Sequence, residues 1–315
     1  MKHMVSIGEL LIDFLPEQKG KSLSDVKTFT KMAGGAPANV CAAFSLLGGK
    51  SYFMGQVGAD GFGDFLIQEL QSAKVDTTYV KQTDLAKTSL AFVSLTNKGE
   101  RDFLFYRNPG ADQLFSEDDV NYEVLDDAIL HFCSVSLLGY PISKAHKSII
   151  INAKKRNAII SFDPNVRKAL STDDTYYQSV ILEYLKYADI VKISDDELSF
   201  ITGIDHLGES IAFMKRMMIP ILIVTKGKDG VDLYMNGQMI HEDGFLVDVK
   251  DTTGAGDAWI GSFLHQIAFH DDIKAISESD MAKYLRFSNA YAALTTTRLG
   301  AIKAMPTKEE VLKLL

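Results

Sequence analysis

Towards the carboxyl end the chain reads Asp251-Thr252-Thr253-Gly254-Ala255-Gly256-Asp257 and runs directly into Ala258-Trp259-Ile260-Gly261-Ser262-Phe263-Leu264. Three small residues and an acid at the start of an apolar helix make an anion site with a base attached. A helix N-terminus exposes unpaired backbone N–H groups and carries partial positive charge, so it attracts anions. Gly254, Ala255 and Gly256 keep that end open, because nothing larger than a methyl stands between the N–H groups and a phosphate. Asp257 falls in the first turn, where the helix dipole favours the carboxylate. A carboxylate there can take a hydroxyl proton while the N–H groups hold a phosphoryl group, as phosphoryl transfer to an alcohol requires. A glycine turn with an acidic helix cap is the structural alternative, and Gly-x-Gly-Asp alone does not separate the two.

A second cluster, Ala33-Gly34-Gly35-Ala36-Pro37-Ala38-Asn39, precedes the apolar run Val40–Leu47. Gly34 and Gly35 admit a ligand close to the backbone, Pro37 suits a first helical turn, and Asn39 offers both a donor and an acceptor. That set fits a polyhydroxylated molecule; by itself it fits a loop-to-helix turn as well. Thr225-Lys226-Gly227 closes an apolar run and precedes Asp229-Gly230, placing small and basic residues where open α/β sheets bind ligands. Lys192-Ile193-Ser194-Asp195-Asp196-Glu197 reads equally as an acidic ligand set and as a capped helix start.

The elements that must carry these residues follow a regular rhythm. Ala128–Val135, Ala158–Asp163, Asp189–Ile193 and Pro220–Thr225 read as buried strands, with crossover helices at Ser143–Arg156, Thr175–Lys186 and Leu207–Met218 between them. The pattern predicts a mostly parallel central sheet covered by helices on both faces. Met4–Asp13 reads as a first strand, with Asp13 at its end. Two stretches break the rhythm: Ile12–Lys31, with Pro16 and Gly20, and Leu90–Arg107, a hairpin turning at Asn97-Lys98-Gly99. Both are expected to stand outside the main sheet as a small β lid, which would keep water from competing for the phosphoryl group.

The 315 residues are 46% hydrophobic and 23% charged, the composition of a globular protein with ample chain for a large core. A net charge of −8 argues against nucleic acid or an anionic membrane as partner, so the basic groups that meet a polyanion must be local: Lys192, Lys226, Arg107 and Arg167. Cys41 and Cys133 lie in apolar surroundings without metal-ligand spacing and are expected to be buried thiols. No stretch has the length of a membrane span, and the acids at Glu9 and Asp13 break any signal-peptide core, so the cytoplasm is the expected location. A dinucleotide-binding oxidoreductase is excluded, because no G-x-G-x-x-G follows the first strand. Trp259 and Phe263, one helical turn apart, are expected in the core, Met214, Met217 and Met218 in the core or on a helix surface, and the seven histidines show no ligand spacing.

Taken together, the Gly34–Asn39 and Asp251–Asp257 segments resemble the two signatures of the ribokinase-like (pfkB-type) carbohydrate kinases. The resemblance runs from Ile7-Gly8-Glu9 to Thr295–Ile302, essentially the whole chain. It implies one ribokinase-like α/β unit over residues 1–315, with a β lid formed by insertions at about 12–32 and 88–108. Gly34–Val40, Gly99-Glu100-Arg101, Pro109-Gly110-Ala111-Asp112, Ser161–Arg167 and Val191–Ser194 are similar to bacterial fructokinases. The implied reaction is phosphoryl transfer from Mg-ATP to a sugar, D-fructose to fructose 6-phosphate. Relatives acting on 2-keto-3-deoxygluconate or aminoimidazole riboside are the near alternatives, and an inactive sugar-binding regulatory protein is the distant one. By the same resemblance Asp257 is the base and Gly254, Ala255 and Gly256 form the anion hole. Asp13, Gly34, Gly35, Asn39, Arg107, Asn165 and Arg167 would contact the sugar, with Arg101 less certain after the hairpin turn. Lys192, Thr225, Lys226, Gly227, Gly230 and Asn289 would contact the nucleotide. Glu197 would meet Mg²⁺ through water, and Asp251 and Thr253 would hold a monovalent cation, potassium, with carbonyls of the Thr295–Gly300 loop. A homodimer closed over the lid is expected.

Overall fold

The computed structural model describes residues 1–18, 20–95 and 101–315, and only the backbone of Ser94, Leu95, Arg101, Asp102 and Phe103. Among these residues thirteen strands form: β1 (His3–Ile7), β2 (Leu11–Pro16), β3 (Phe29–Gly34), β4 (Ser51–Gly58), β5 (Val80–Thr83), β6 (Leu90–Leu95), β7 (Arg101–Tyr106), β8 (Ala128–Cys133), β9 (Ile159–Asp163), β10 (Ile190–Ser194), β11 (Ile221–Thr225), β12 (Val231–Met235) and β13 (Gln238–Glu242). The helices are α1 (Ala36–Leu46), α2 (Gly61–Ser72), α3 (Tyr140–Lys155), α4 (Asp174–Leu185), α5 (Asp195–Thr202), α6 (Leu207–Arg216), α7 (Ala255–Ile267), α8 (Glu278–Thr295) and α9 (Lys308–Leu314).

Nine strands make the central sheet in the order β13-β12-β11-β10-β9-β8-β1-β4-β5. It is parallel from β5 to β11, and β12 and β13 add an antiparallel edge that the sequence reading did not anticipate. Alternate strand residues feed two cores. Met4, Ile129, Ile190 and Ile221 pack under α1, α2, α7, α8 and α9. Val5, Leu130, Val191 and Leu222 pack under α3, α4, α5 and α6. Burial on both faces explains why these strands read as continuous apolar runs.

The lid is a separate four-stranded sheet ordered β3-β2-β6-β7. The small sheet outside the main one is therefore present, while the hairpin turn at 97–99 and the side chain of Arg101 lie outside the described residues. One expectation is corrected. Met4–Asp13 is not one strand: the chain leaves the central sheet at Gly8 (φ +154) and enters the lid at Leu11, so Asp13 lies within a lid strand. A Cβ at Gly8 would stand 2.6 Å from Pro37 Cγ, which is why glycine occupies the exit. The strand read to Val135 likewise ends at Cys133, and Val135–Leu137 forms a tight helical turn.

Candidate active site

Several of the residues singled out for chemistry lie along the C-terminal edge of the parallel strands, where strands stop and loops turn over the sheet. Glu9 follows β1, Val135 follows β8, Asn165 and Arg167 follow β9, Ser194 ends β10, and Thr225 ends β11. Two cavities sit side by side on this edge. The first lies beneath the lid; Leu11, Asp13, Leu15, Val93 and Phe105 close it from above, and Glu9, Gly35, Asn39, Asn165, Arg167 and Asp257 line it from below. The second lies over β10 and β11 and is lined by Lys192, Asp195, Asp196, Thr225, Gly227, Lys228 and Gly230, among others.

The N-terminus of α7 separates them. Gly254 and Asp257 line the first cavity, whereas Ala255 and Gly256 line the second. Gly254 is the N-cap in the left-handed region (φ 72), and a Cβ there would stand 2.5 Å from Ala301 Cβ, so both conformation and space require glycine. A Cβ at Gly256 would come within 2.9 Å of Lys192 Nζ, which places that ammonium directly beside the helix end. Backbone donors, helix dipole and one cation therefore converge between the cavities, the arrangement that stabilises a phosphoryl group in transit.

Asp257 is buried, and its two oxygens accept hydrogen bonds from Asn39 Nδ2 at 2.8 Å and Asn165 Nδ2 at 3.3 Å. Burial, with help from the Asp163 carboxylate, pushes its carboxyl up to about 6 against the opposing pull of Asn39, Lys192 and Arg167. That places the group near neutrality, where a general base works well. Asn165 holds its amide there from a positive φ of 44, a costly conformation fixed by its own N–H bonding Asp163 Oδ1 at 3.1 Å. Lys192 Nζ donates to Asp163 Oδ2 at 2.8 Å, and the pair is buried. The carbonyl oxygen of the Asn39 side chain is buried with no protein partner, a site that calls for a ligand donor.

The structure brings Asp13 and Gly35 to the first cavity, with Gly34 behind Asp13 rather than in the lining. A Cβ at Gly34 would meet Asp13 Oδ2 at 2.2 Å, and Gly35 (φ +111) packs on the Glu9 carbonyl. Arg167 lines the cavity and donates from Nη1 to the Val166 carbonyl at 3.1 Å. Arg107 does not line it. Its guanidinium is buried at the exit of β7 against buried Asp112, with Nε 2.8 Å from Oδ2. A desolvated guanidinium needs such a partner.

In the second cavity Phe245, Val247, Val249, Trp259, Ala292 and Ala293 form an apolar wall suited to a planar base. Trp259 is in the core, as expected, stacked on Phe263 with centroids 5.3 Å apart, yet its edge also belongs to this wall. Asn289 lines the cavity, but its amide is committed: Nδ2 donates to the carbonyls of Glu242 and Asp243, and Oδ1 accepts from Trp259 Nε1 at 2.7 Å. Lys226 turns aside to pair with Asp232, so Lys228 is the lysine of that loop lining the cavity. Sequence reasoning missed Lys228, Glu9 and the Phe245–Val249 wall. The alternation Phe245, Val247, Val249 with Leu246 exposed was the available signal for that wall.

Glu197 acts on its own helix. Its Oε2 accepts from Ser194 N–H and Oγ, both at 2.9 Å, and Oε1 accepts from the Val166 N–H at 2.6 Å. The capping-box alternative is thus present, and it also ties α5 to the loop bearing Asn165 and Arg167. Asp251 gathers Thr253 and the Gly300 loop: Oδ1 accepts from Thr253 N–H and Oγ1, and Oδ2 accepts from Gly300 N–H at 3.0 Å.

The model of the pfkB family carbohydrate kinases matches residues 1–308. The chain belongs to this family of carbohydrate kinases. Among curated relatives, a probable fructokinase-2 of Arabidopsis thaliana is 42% identical, covering 99% of this chain and 95% of the relative. Fructokinase-1 of Zea mays is 41% identical over 99% of this chain and 97% of its own. Among solved structures, a fructokinase from Xylella fastidiosa with bound ATP superposes with a TM-score of 0.89 at 36% identity, covering 99% of this chain and 97% of that one. A fructokinase from Vibrio cholerae O395 with fructose, ADP and calcium gives 0.91 at 31% identity and 99% coverage of each. This kinase therefore has the ribokinase-like architecture with a lid.

Proposed function

We propose that this kinase transfers the γ-phosphoryl group of Mg-ATP to the primary 6-hydroxyl of D-fructose, with Asp257 as the base. The observation that carries the reading is the position of α7: its first turn is shared between the cavity under the lid and the cavity over β10 and β11. A sugar hydroxyl beside Asp257 and a triphosphate at Ala255–Gly256 would meet across that turn. The fructokinase relatives, full-length on both sides, favour fructose as acceptor, and the relative that binds ATP favours ATP as donor.

In this reading Asn39 and Asn165 orient Asp257, which accepts the hydroxyl proton as the oxygen attacks the γ-phosphorus. Backbone N–H groups of Gly254–Gly256 and Lys192 hold the charge that develops on the phosphoryl oxygens. Phe105, Val93 and the other lid residues exclude water, which favours transfer over hydrolysis. Among the described residues no three His, Cys, Asp or Glu side chains gather to cage a metal. A magnesium ion carried in by the triphosphate fits this better, since Asp195 and Asp196 line the donor cavity and magnesium binds few protein carboxylates. Such an ion would neutralise charge on the β- and γ-phosphates. Potassium at Asp251, Thr253 and the Thr295–Gly300 loop is a further part of the reading, supported by the way Asp251 draws that loop to Thr253.

ADP release measured with Mg-ATP against fructose, ribose, 2-keto-3-deoxygluconate, aminoimidazole riboside and no sugar tests the reading. Fructose should give a kcat/KM at least tenfold above the rest. A preference for 2-keto-3-deoxygluconate would replace the sugar and give Arg167 the carboxylate; no turnover in folded protein would leave the regulatory alternative. Equal rates in sodium, potassium and tetramethylammonium would remove potassium. Leu104 and Tyr106 are exposed on the lid, which supports a homodimer that covers them, and light scattering at the monomer mass would remove it. The cytoplasmic location rests on the sequence reading and is open to cell fractionation.

A further inference from the structure

Part of the wall of the cavity over β10 and β11 has no regular secondary structure. Residues 243–249 leave β13 in neither strand nor helix, and Gly244, Phe245, Val247 and Val249 of this segment line the cavity. At its near end Asn289 Nδ2 holds the carbonyls of Glu242 and Asp243. Just beyond its far end the N–H groups of Lys250 and Asp251 bond the Thr296 carbonyl at 2.8 and 3.1 Å. The segment lies against the turn between β11 and β12, which supplies Gly227, Lys228 and Gly230 to the same cavity. The two meet with no room to spare. A Cβ at Gly230 would stand 2.1 Å from the Glu242 carbonyl oxygen, and one at Gly244 would stand 2.3 Å from the Lys228 carbonyl oxygen. A shift of either segment therefore displaces the other, and with it the shape of the cavity.

Asp232 sits behind this contact. It lies on β12 directly opposite His241 of β13, is buried, and does not line the cavity. Its Oδ2 accepts from Lys226 Nζ, at the start of the β11–β12 turn, and its Oδ1 lies 2.6 Å from Nδ1 of His241, the residue before Glu242. Tyr234 O–H reaches Oδ2 at 3.4 Å, and His241 Nε2 lies 3.2 Å from Asp243 Oδ1, an exposed contact of little weight. One carboxylate thus holds the residue where the turn begins and a residue of the strand from which the wall segment departs. Burial works against its charge, but Lys226 and His241 outweigh that and keep the carboxyl below the usual range. The fold does not need the charge. Val231 and Leu233 on either side fill a core, and the ladder from β11 to β13 pairs backbone groups whatever the side chain at 232. Buried ion pairs replaced by apolar groups of similar size often leave stability unchanged or raised.

We propose that Asp232 is a positioning residue for the phosphoryl donor: by holding Lys226 and His241 together it fixes the β11–β12 turn against residues 243–249, and so sets the affinity for the nucleotide without touching it. The proposal rests on the reading of this cavity as the donor site and is independent of the sugar.

The test measures binding of the β,γ-imido analogue of ATP with magnesium by calorimetry, with no sugar present, in wild type, Asp232→Asn, Lys226→Met and the double variant. KM values for ATP and for the best acceptor of the sugar panel are measured beside it. Asp232→Asn should weaken nucleotide binding and raise KM for ATP at least fivefold, leaving KM for the sugar within twofold. Lys226→Met should act in the same direction, and the double variant should lose at most about twofold more than the worse single variant, because both break one bond. A triple variant, Lys226→Met with Asp232→Leu and His241→Leu, should melt at or above wild type and still bind the nucleotide as weakly as Asp232→Asn. A lower melting temperature in Asp232→Asn with nucleotide affinity within twofold of wild type makes the cluster structural only and overturns the proposal. If Asp232→Asn does not fold, Lys226→Met decides, since that side chain is partly exposed: nucleotide affinity within twofold of wild type overturns the proposal. Wild type that binds no nucleotide analogue removes the donor-site reading itself, and the proposal with it.

Discussion

At the scale of single residues, the governing quantity is the proton affinity of Asp257. Burial holds the carboxyl up to about 6, and only the deprotonated form can accept a proton. kcat/KM for the sugar should therefore rise about tenfold per pH unit below about 6 and level off above it. A profile flat from pH 8 down to 5 would count against Asp257 as base. Asp257→Asn removes the base and should cost roughly 10²–10⁴ in turnover. Its stability should move the other way. A carboxyl whose folded pKa exceeds its unfolded value, about 4, destabilises the native state above both, here by about 3 kcal/mol at most. Asp257→Asn should thus melt at or above wild type at pH 8. The difference should shrink as pH falls through about 6 towards 4, where the wild-type carboxyl becomes protonated; differential scanning calorimetry across that range measures it.

At the scale of elements, two helix starts can be separated by substitution. Gly254→Ala forces a left-handed residue at the cap of α7 and drives a methyl into Ala301, 2.5 Å away by the geometry of the backbone. The expected loss is about 2–4 kcal/mol in chemical denaturation, with turnover falling because the anion hole tilts. At α5 the question is whether Glu197 acts on the helix or on magnesium. Glu197→Gln keeps one acceptor but turns an amide donor towards the N–H of either Ser194 or Val166, so it should lose about 1 kcal/mol, and Glu197→Ala about 1–2 kcal/mol. If the charge also serves magnesium through water, Glu197→Gln alone should shift the magnesium titration of activity to higher concentration. A magnesium curve that superposes on wild type would confine Glu197 to capping and to holding the Val166 N–H.

At the scale of the whole molecule, the central sheet carries a core on each face, and the lid shares one of them through Ile12, Ala33, Phe14 and Leu90. One α/β unit spanning residues 1–315 predicts a single cooperative thermal transition, and a separate early transition would mark the lid as an independent unit. Sugar at a hundred times its dissociation constant should add about 2.7 kcal/mol to stability, because only the folded protein offers the pocket. The net charge of −8 makes the donor site depend on local positive potential. The N-terminus of α7, Lys192 and Lys228 supply it where they line the cavity.

Much of this was legible in the chain because the chemistry is local. The Gly254–Asp257 turn, the Gly34–Asn39 turn and the apolar strands each show their function within a few residues, through backbone freedom at glycine and the periodicity of burial. What the sequence could not show is how packing pairs charges, even between near neighbours in the chain. Arg107 shows only a charge until burial sets it against Asp112; Lys226 looks like a phosphate ligand until Asp232, brought alongside by an antiparallel strand, takes its charge. Glu9 looks like an interruption in a strand until the turn after β1 sets it in the wall of the cavity beneath the lid. A residue type states which bonds a side chain can make, but a buried charge must be satisfied by whatever packs beside it. Packing therefore decided which charges line the two cavities and which hold the fold together.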